Sequence, residues 1–345
     1  MEYRNLGRTG VKVSPLCLGC LFGGDRTPEA EAMDMIDRAL DAGLNFLDTA
    51  DVYGTCHNRR GQSEEVIGQA LQRNGRREHV ILATKVHGTM HDTDPNQFGN
   101  SRRWIIREVE NSLKRLQTDW IDLYQIHRPE PDTDIDETLG ALSDLVHQGK
   151  VRYIGSSTFP ATSIVEAQWV ARDRGRERFV CEQPPYSLLV RGIERDVLPT
   201  CRRYGMGVIP WSPLAGGWLS GKWRKDADDL TSRRSAMIPA RYDLSIPENQ
   251  RKLDAADALG KLADEAGIPL IHMALAFVIN HPAVTAAIIG PRTREQLESQ
   301  LGAVDVELDD AILDRIDEIV APGMNINPAD AGWTNPDLEP ATRRR

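Results

Sequence analysis

The sequence predicts an α/β fold, a (β/α)8 TIM barrel, on three observations. Short apolar runs alternate with amphipathic stretches, and the pair repeats eight times along the chain. The runs are apolar almost without interruption, as strands covered on both faces are. The 345 residues, 40% hydrophobic, suffice for one large core or two ordinary ones, and no shift in composition marks a second domain. One barrel domain over 1–345 is therefore expected.

The elements follow in order. "PLCLG" (15–19) is the first strand; the helix at 28–42 opens on Pro and Glu and stops before Gly43. "NFLDTA" is the second strand, followed by a helix at 63–72 that ends before Asn74-Gly75. "HVILATKV" (79–86) is β-branched, and 103–116 repeats Ile105, Val109, Leu113 and Leu116 at helical spacing. "WIDLYQIH" (120–127) precedes a helix at 135–148, and "VRYIGSS" (151–157) one at 162–174. "RFVCEQ" (178–183) leads to a helix at 193–204, and "MGVIPWSPL" (206–214) to a long polar stretch with helices at 250–266 and 270–280. "TAAIIG" (285–290) and a helix at 294–301 complete the count.

Two pieces stand outside it. "EYRNLGRTGVKVS" alternates around Arg8-Thr9-Gly10, which predicts a hairpin plugging the lower end of the barrel. At the other end one more helix (309–320) precedes an irregular tail (322–345) containing Trp333, readable as a cap on the pocket, a subunit contact or a surface tail.

Composition excludes several classes of function. Lys and Arg number 42 against 51 Asp and Glu, a net charge of −9 with no sustained basic block, which argues against nucleic acid and anionic membrane as partners. No signal-peptide pattern opens the chain, and no apolar run approaches the ~20 residues of a membrane span. The five cysteines are scattered, at 17, 20, 56, 181 and 201, which reads as a reduced, cytoplasmic chain. Cys17 and Cys20 have no second pair at metal spacing and lie in an apolar run, so burial is expected. His57, His87 and His91 fall in rim loops without carboxylate or Cys partners at ligand spacing, so no metal is expected.

In such a barrel the chemistry belongs at the C-terminal ends of the strands. The second strand delivers Asp48 and the loop after it Tyr53; the third delivers Lys85 and the fourth His127. The fifth brings Ser156 and Ser157, the sixth Gln183, the seventh Trp211 and Ser212, and Gly290 and Arg292 follow the eighth. An Asp, a Tyr, a Lys and a His from adjacent strands suit carbonyl reduction. Hydride addition leaves an alkoxide that needs a proton, and a tyrosine can supply it although its reference pKa is about 10. A nearby ammonium stabilises the phenolate, a carboxylate holds the ammonium, and a histidine polarises the carbonyl oxygen.

The segments "GLNFLDTADVYG", "LATKV", "IDLYQIHRP", "GKVRYIGSSTF", "EQPPYSLL", "WSPLAGGWLSGK" and "IIGPRTREQLESQ" resemble, in this order, the motifs of the aldo-keto reductases. The resemblance covers nearly the whole chain, and the Trp-Ser-Pro-Leu form is nearest the branch of bacterial reductases and potassium-channel beta-subunits. It implies Tyr53, Asp48, Lys85 and His127 as catalytic residues, and NADPH as cofactor, held without a G-x-G-x-x-G motif. It further implies that Ser157, Thr158 and Gln183 hold the carboxamide, that Trp211 stacks on the nicotinamide, and that Ser212, Pro213, Leu214, Ala215 and Gly216 follow the pyrophosphate. Lys222 and Arg233 match basic positions near the 2′-phosphate; Gly290, Arg292, Thr293, Gln296 and Gln300 match the adenosine end; Cys20, Leu21 and Asp48 complete the cofactor set. Ser299-Gln300 departs from the usual Glu-Asn that grips adenine.

The partner implied is a small aldehyde, ketone or sugar-like alcohol, and a homo-oligomer is compatible with it. A cofactor-binding regulatory subunit is the second reading; His127 opposes it, because the channel subunits carry Asn there. A barrel hydrolase is the third, and it lacks a second carboxylate at a strand end. The rim loops 87–100 and 223–247, which would select the substrate, carry no motif.

Overall fold

The structure is a computed structural model, and it describes residues 1–23, 27–55, 59–231 and 233–343, without the side chains of Thr55, Arg233 and Arg234. Its parallel strands are β1 (Leu16–Gly19), β2 (Phe46–Asp48), β3 (Ile81–Val86), β4 (Ile121–Ile126), β5 (Val151–Ser157), β6 (Cys181–Gln183), β7 (Gly207–Val208) and β8 (Ala287–Ile289). Their order in the sheet is β7-β6-β5-β4-β3-β2-β1-β8. The two edges then meet: Ala286 N donates to Val208 O at 3.4 Å and Ile288 N to Pro210 O at 2.9 Å. The sheet closes on itself, as a (β/α)8 barrel requires.

The helices around it are α1 (Glu29–Asp41), α2 (Gln62–Asn74), α3 (Arg102–Leu116), α4 (Ile135–His147), α5 (Ala161–Arg174), α6 (Val197–Tyr204), α7 (Pro247–Ala266), α8 (Leu270–Ile279), α9 (Arg294–Leu301) and α10 (Asp310–Ile319). Each buries one stripe. On α3 the stripe is Trp104, Ile105, Val109, Leu113 and Leu116, and the helix starts where the Ser101 hydroxyl accepts from Trp104 N at 3.3 Å. No single helix among the described residues is long and apolar enough to cross a membrane.

Strand parity divides the interior in two. Cys17, Phe46, Ala83, Leu123, Cys181 and Ile288 point into the barrel, while their neighbours face the helices. The N-terminal hairpin (Arg4–Asn5 with Lys12–Val13) closes the bottom of this inner core, as expected, by inserting Leu6 and Val13. The approach is close at Gly7, where φ is +58° and a Cβ would lie 2.5 Å from Gly207 N; only glycine fits there. The described cysteines, Cys17, Cys20, Cys181 and Cys201, are free and buried, and burial pushes their thiols up, so they are packing residues. Cys56 lies outside the described residues.

Two expectations need correction. The helix expected at 193–204 divides into a 3-10 turn at Gly192–Glu194 and α6, which starts after Asp196. A continuous helix would put Pro199 in its interior, against the carbonyl of Arg195; as built, Pro199 sits in the first turn and Asp196 caps Val197 N at 2.7 Å. The strand expected at 206–214 shortens to Gly207–Val208, because Pro210 has no N–H to give the ladder. Beyond it Trp211 pairs with Pro185 through a single bridge.

Candidate active site

One layer above the inner apolar core, the same inward positions turn polar. Asp48 follows Phe46 on β2, Lys85 follows Ala83 on β3, Gln125 follows Leu123 on β4, and Gln183 follows Cys181 on β6. The fully buried Lys85 Nζ donates to Asp48 Oδ2 and to Thr49 O, each at 2.6 Å. The other Asp48 oxygen accepts from Gln125 Nε2 at 3.1 Å and from Gln183 Nε2 at 2.8 Å. A buried ion pair tolerates desolvation when its remaining lone pairs and protons are satisfied, and here both carboxylate oxygens are. Burial alone would lower the Lys85 pKa; Asp48 and Tyr53 outweigh it, and the ammonium is held above its usual range.

Tyr53 stands above this pair, on the loop after β2. Its ring centroid is 5.0 Å from Lys85 Nζ, and its hydroxyl is 3.4 Å from His127 Nε2, with the two rings edge to face. Burial, then the charges of Lys85 and Arg128, press the His127 pKa well below the ordinary imidazole value. The ring is therefore neutral at neutral pH and has one N–H to donate. Asp51, three residues after Asp48, does not join this group: one oxygen caps Val52 N at 2.6 Å, and burial beside Glu64 and Glu108 pushes its pKa well up.

The β5 end makes the adjoining wall. Ser157 Oγ donates to Gln183 O at 2.9 Å, and Thr158 N to the same oxygen at 3.1 Å. Thr158 is left-handed, with φ +61°. The turn is held from behind by Glu182, a buried carboxylate bonded to Ser156 Oγ and to Phe159 N. Burial pushes Glu182 up to about 7, against the pull of these hydrogen bonds. Ser156 therefore points away from the pocket, and Ser157 towards it.

The β7 end begins with Trp211. The loop after it is left-handed at Ser212 (φ +58°), Ala215 (φ +49°), Gly216 (φ +71°) and Gly217 (φ +106°). Such changes of hand in consecutive residues build anion-binding nests. Pro213 is buried, and Leu214 O accepts from Gly217 N at 2.8 Å. Lys222 is exposed and lies 3.2 Å from Asp229; the Arg233 side chain lies outside the described residues.

Past β8, Gly290 has open space where a Cβ would be. Arg292 is exposed, with its backbone fixed to Gln296 Oε1 at 2.9 Å. Thr293 caps α9, accepting from Gln296 N at 3.3 Å. Gln300 is turned back on its own helix: Nε2 donates to Gln296 O at 2.8 Å, and Oε1 is buried with no partner among the described residues. On the β1 side Cys20 is buried, its N bonded to Asp48 O at 2.7 Å, and Leu21 borders it, half-buried.

The tail reaches this rim. Asp330 is buried between Lys252 Nζ at 2.9 Å and Arg241 Nε at 2.6 Å, and Asn327 Nδ2 donates to Asn249 Oδ1 at 2.9 Å. These contacts lay Gly332 on the Trp211 indole: a Cβ there would lie 2.6 Å from Trp211 Cζ2 and 3.2 Å from Thr158 Cγ2. Of the readings open for the tail, a cap fits 327–332. Beyond it come short helical turns at Pro336–Leu338 and Pro340–Arg343, both exposed. Gly332 has φ +82°, so Gly332→Ala adds left-handed strain of about 1–2 kcal/mol to the clash with the indole. We expect a shift in tryptophan emission and a lower denaturation midpoint; a variant unchanged in both would remove the contact.

The two described rim histidines are each held by neighbours in their own loop. His87 bonds Asn100 Oδ1 at 3.0 Å and packs against Phe98 with the rings tilted; His91 Nδ1 accepts from Asp94 N at 3.1 Å; His57 lies outside the described residues. Among the described residues no cluster of His, Cys, Asp and Glu could hold a metal ion. Trp223, expected on the rim, is instead buried against Trp218, 4.1 Å away and stacked.

Gln125, Glu182, Arg128 and Asp330 were not singled out from sequence. Only Gln125 left a signal, a polar residue in phase with the inward positions of an apolar strand.

The closed parallel barrel thus carries a buried Lys–Asp pair, a phenol and an imidazole together at its C-terminal rim. The chain belongs to the Aldo/keto reductase family, whose profile matches residues 15–321. It is 44% identical to an uncharacterised oxidoreductase, YrpG, of Bacillus subtilis, over 92% of this chain and 96% of that protein. It is 34% identical to a probable voltage-gated potassium channel subunit beta of Arabidopsis thaliana, over 93% and 97% of the two chains. With versiconal hemiacetal acetate reductase of Aspergillus parasiticus it shares 32% identity, over 93% and 98%. The family and its oxidoreductase members make this chain an oxidoreductase of the carbonyl-reducing type.

Proposed function

We propose that the chain is an NADPH-dependent carbonyl reductase, reversible towards the alcohol, in which Tyr53 is the general acid and base. The observation that carries this is the stacking of charge and phenol: a Lys85 ammonium paired to Asp48, 5.0 Å below the Tyr53 ring, whose hydroxyl faces His127 at 3.4 Å. The residues at the rim fit a nicotinamide dinucleotide: a left-handed loop for a pyrophosphate, an exposed Arg292 and a Trp211 indole beside the chemistry. When bound, the dinucleotide supplies the hydride.

The protein's own residues do the rest. Neutral His127 donates a hydrogen bond to the carbonyl oxygen and draws electron density from the carbonyl carbon. Tyr53 gives that oxygen its proton, and Lys85 stabilises the phenolate left behind. Asp48 keeps Lys85 charged, and Gln125 and Gln183 fix the orientation of Asp48. Thr158, Ser157 and Gln183 would hold the carboxamide, Ser212 to Gly216 the pyrophosphate, and Arg292 and Lys222 the 2′-phosphate.

The test is loss of reduced-nicotinamide absorbance with a panel of aldehydes and ketones, using NADPH and NADH in parallel. NADPH is expected to be preferred, mainly through KM. Each charge-assisted contact contributes about 1.5–3 kcal/mol before screening, so Arg292→Ala is expected to narrow the preference roughly tenfold. A wild type that favours NADH would overturn the 2′-phosphate assignment. Binding of NADPH with no turnover of any carbonyl would favour the regulatory-subunit reading.

A further inference from the structure

One cation at the rim has no part in the proton relay. Arg128 directly follows His127 and is half-buried beside it. Its Nη1 donates to His127 O at 2.6 Å and to Thr158 Oγ1 at 3.2 Å, and Cζ lies 6.0 Å from the Trp211 ring centroid. The guanidinium thus sits among His127, Thr158 and Trp211, and it is close enough to Tyr53 for the two to interact electrostatically. Lys85, the other buried cation here, is matched by Asp48. Arg128 is not matched: among the described residues no carboxylate stands within salt-bridge distance, and both oxygens of Glu182, which acts on it through space, are engaged by Ser156 and Phe159. Its Nε and Nη2 donors have no protein acceptor among the described residues.

A half-buried charge without a counter-charge is costly to hold, and it lowers the cost of bringing an anion to it. The planar fork, with two nitrogens open, matches the two oxygens of a carboxylate or phosphate. We infer that Arg128 is a specificity-determining residue, which binds an oxyanion carried by the carbonyl substrate a few atoms from the reacting carbon. The inference rests on the carbonyl-reductase reading above and narrows it to aldehydes or ketones bearing a carboxylate or a phosphate. The competing view is that Arg128 only braces His127 O and the Thr158 turn.

The test compares matched substrates. Succinic semialdehyde against 4-hydroxybutanal probes the carboxylate, and glycolaldehyde phosphate against glycolaldehyde probes the phosphate. Wild type is expected to favour the charged member of at least one pair, which identifies the oxyanion. In Arg128→Gln the ratio of kcat/KM, charged over neutral, is expected to fall by roughly ten- to hundredfold, mostly through KM. Arg128→Lys, which keeps the charge but not the fork, should recover part of it. An equal fall for both members of a pair would show a brace and overturn the inference, as would a wild type without preference for either charged substrate. If wild type reduces no carbonyl at all, the reductase reading fails by itself. Malonate and inorganic phosphate, titrated against tryptophan emission of the NADPH-loaded protein, then decide the site separately: saturable binding lost in Arg128→Gln supports it, and no binding overturns it.

Discussion

Tyr53→Phe is expected to lower kcat by roughly 10²–10⁴, about 3–5 kcal/mol of transition-state stabilisation, with little change in NADPH affinity. The substitution removes one hydroxyl, which faces His127 Nε2 at 3.4 Å; the ring over Lys85 remains. The Lys85–Asp48 pair lies below the ring and is held by Gln125 and Gln183, so its geometry does not depend on that hydroxyl. Steady-state kinetics together with a cofactor titration separate the two effects. Equal kcat in variant and wild type would remove Tyr53 from the mechanism. A large loss of cofactor affinity with kcat preserved would make it a binding residue instead.

Lys85→Met is expected to abolish turnover and to destabilise the fold by about 3–5 kcal/mol. It leaves the buried Asp48 carboxylate without its counter-charge, and Gln125 and Gln183 supply only neutral donors. Lys85 is fully buried, so solvent does not screen the loss. The pKa of Lys85 is raised on folding. The stabilisation that Lys85 contributes through this shift is therefore fully present below the unfolded lysine value, and it is lost as pH rises through the higher folded value. A denaturant midpoint measured near neutral pH sees the whole effect. Asp48→Asn combined with Lys85→Met, which removes both charges, should regain much of the stability and none of the activity. A single variant as stable as wild type would show that the pair does not carry this weight. A double variant that turns over would show that the ammonium is not needed by Tyr53.

The two substitutions differ in how visible their targets were. Tyr53 and Lys85 each end or follow an apolar run, and a run buried on both faces has no structural use for a phenol or an ammonium at its end. The strand–helix period then puts all such ends on one rim. Gln125 and Glu182 belong to the same rim, but Gln125 gave only a weak signal and Glu182 none. Whether a strand residue faces the barrel or the helices depends on parity, and parity shows only when the inward set is known. Gln125 falls in phase with Leu123 and joins Asp48; Glu182 falls out of phase with Cys181 and supports the Thr158 turn from outside. The break before α6 was legible in retrospect, because Pro199 cannot occupy the interior of a helix.

The sequence by itself determined the barrel, its hairpin plug, the family and the four side chains Asp48, Tyr53, Lys85 and His127, because local periodicity and strand-end chemistry are written in neighbouring residues. Only the tertiary structure decided which groups touch. Closure of the sheet brings Gln183 of β6 to Asp48 of β2, at 2.8 Å across 135 residues. The tail could be read from sequence as a cap, a subunit contact or a surface tail, since an ion pair joining Asp330 to Arg241 and Lys252 leaves no periodic trace along the chain. Arg128 was hidden for the same reason. A surface arginine and a half-buried one read alike in sequence, and what separates them is burial with no carboxylate among the described residues at salt-bridge distance, which only packing in three dimensions decides.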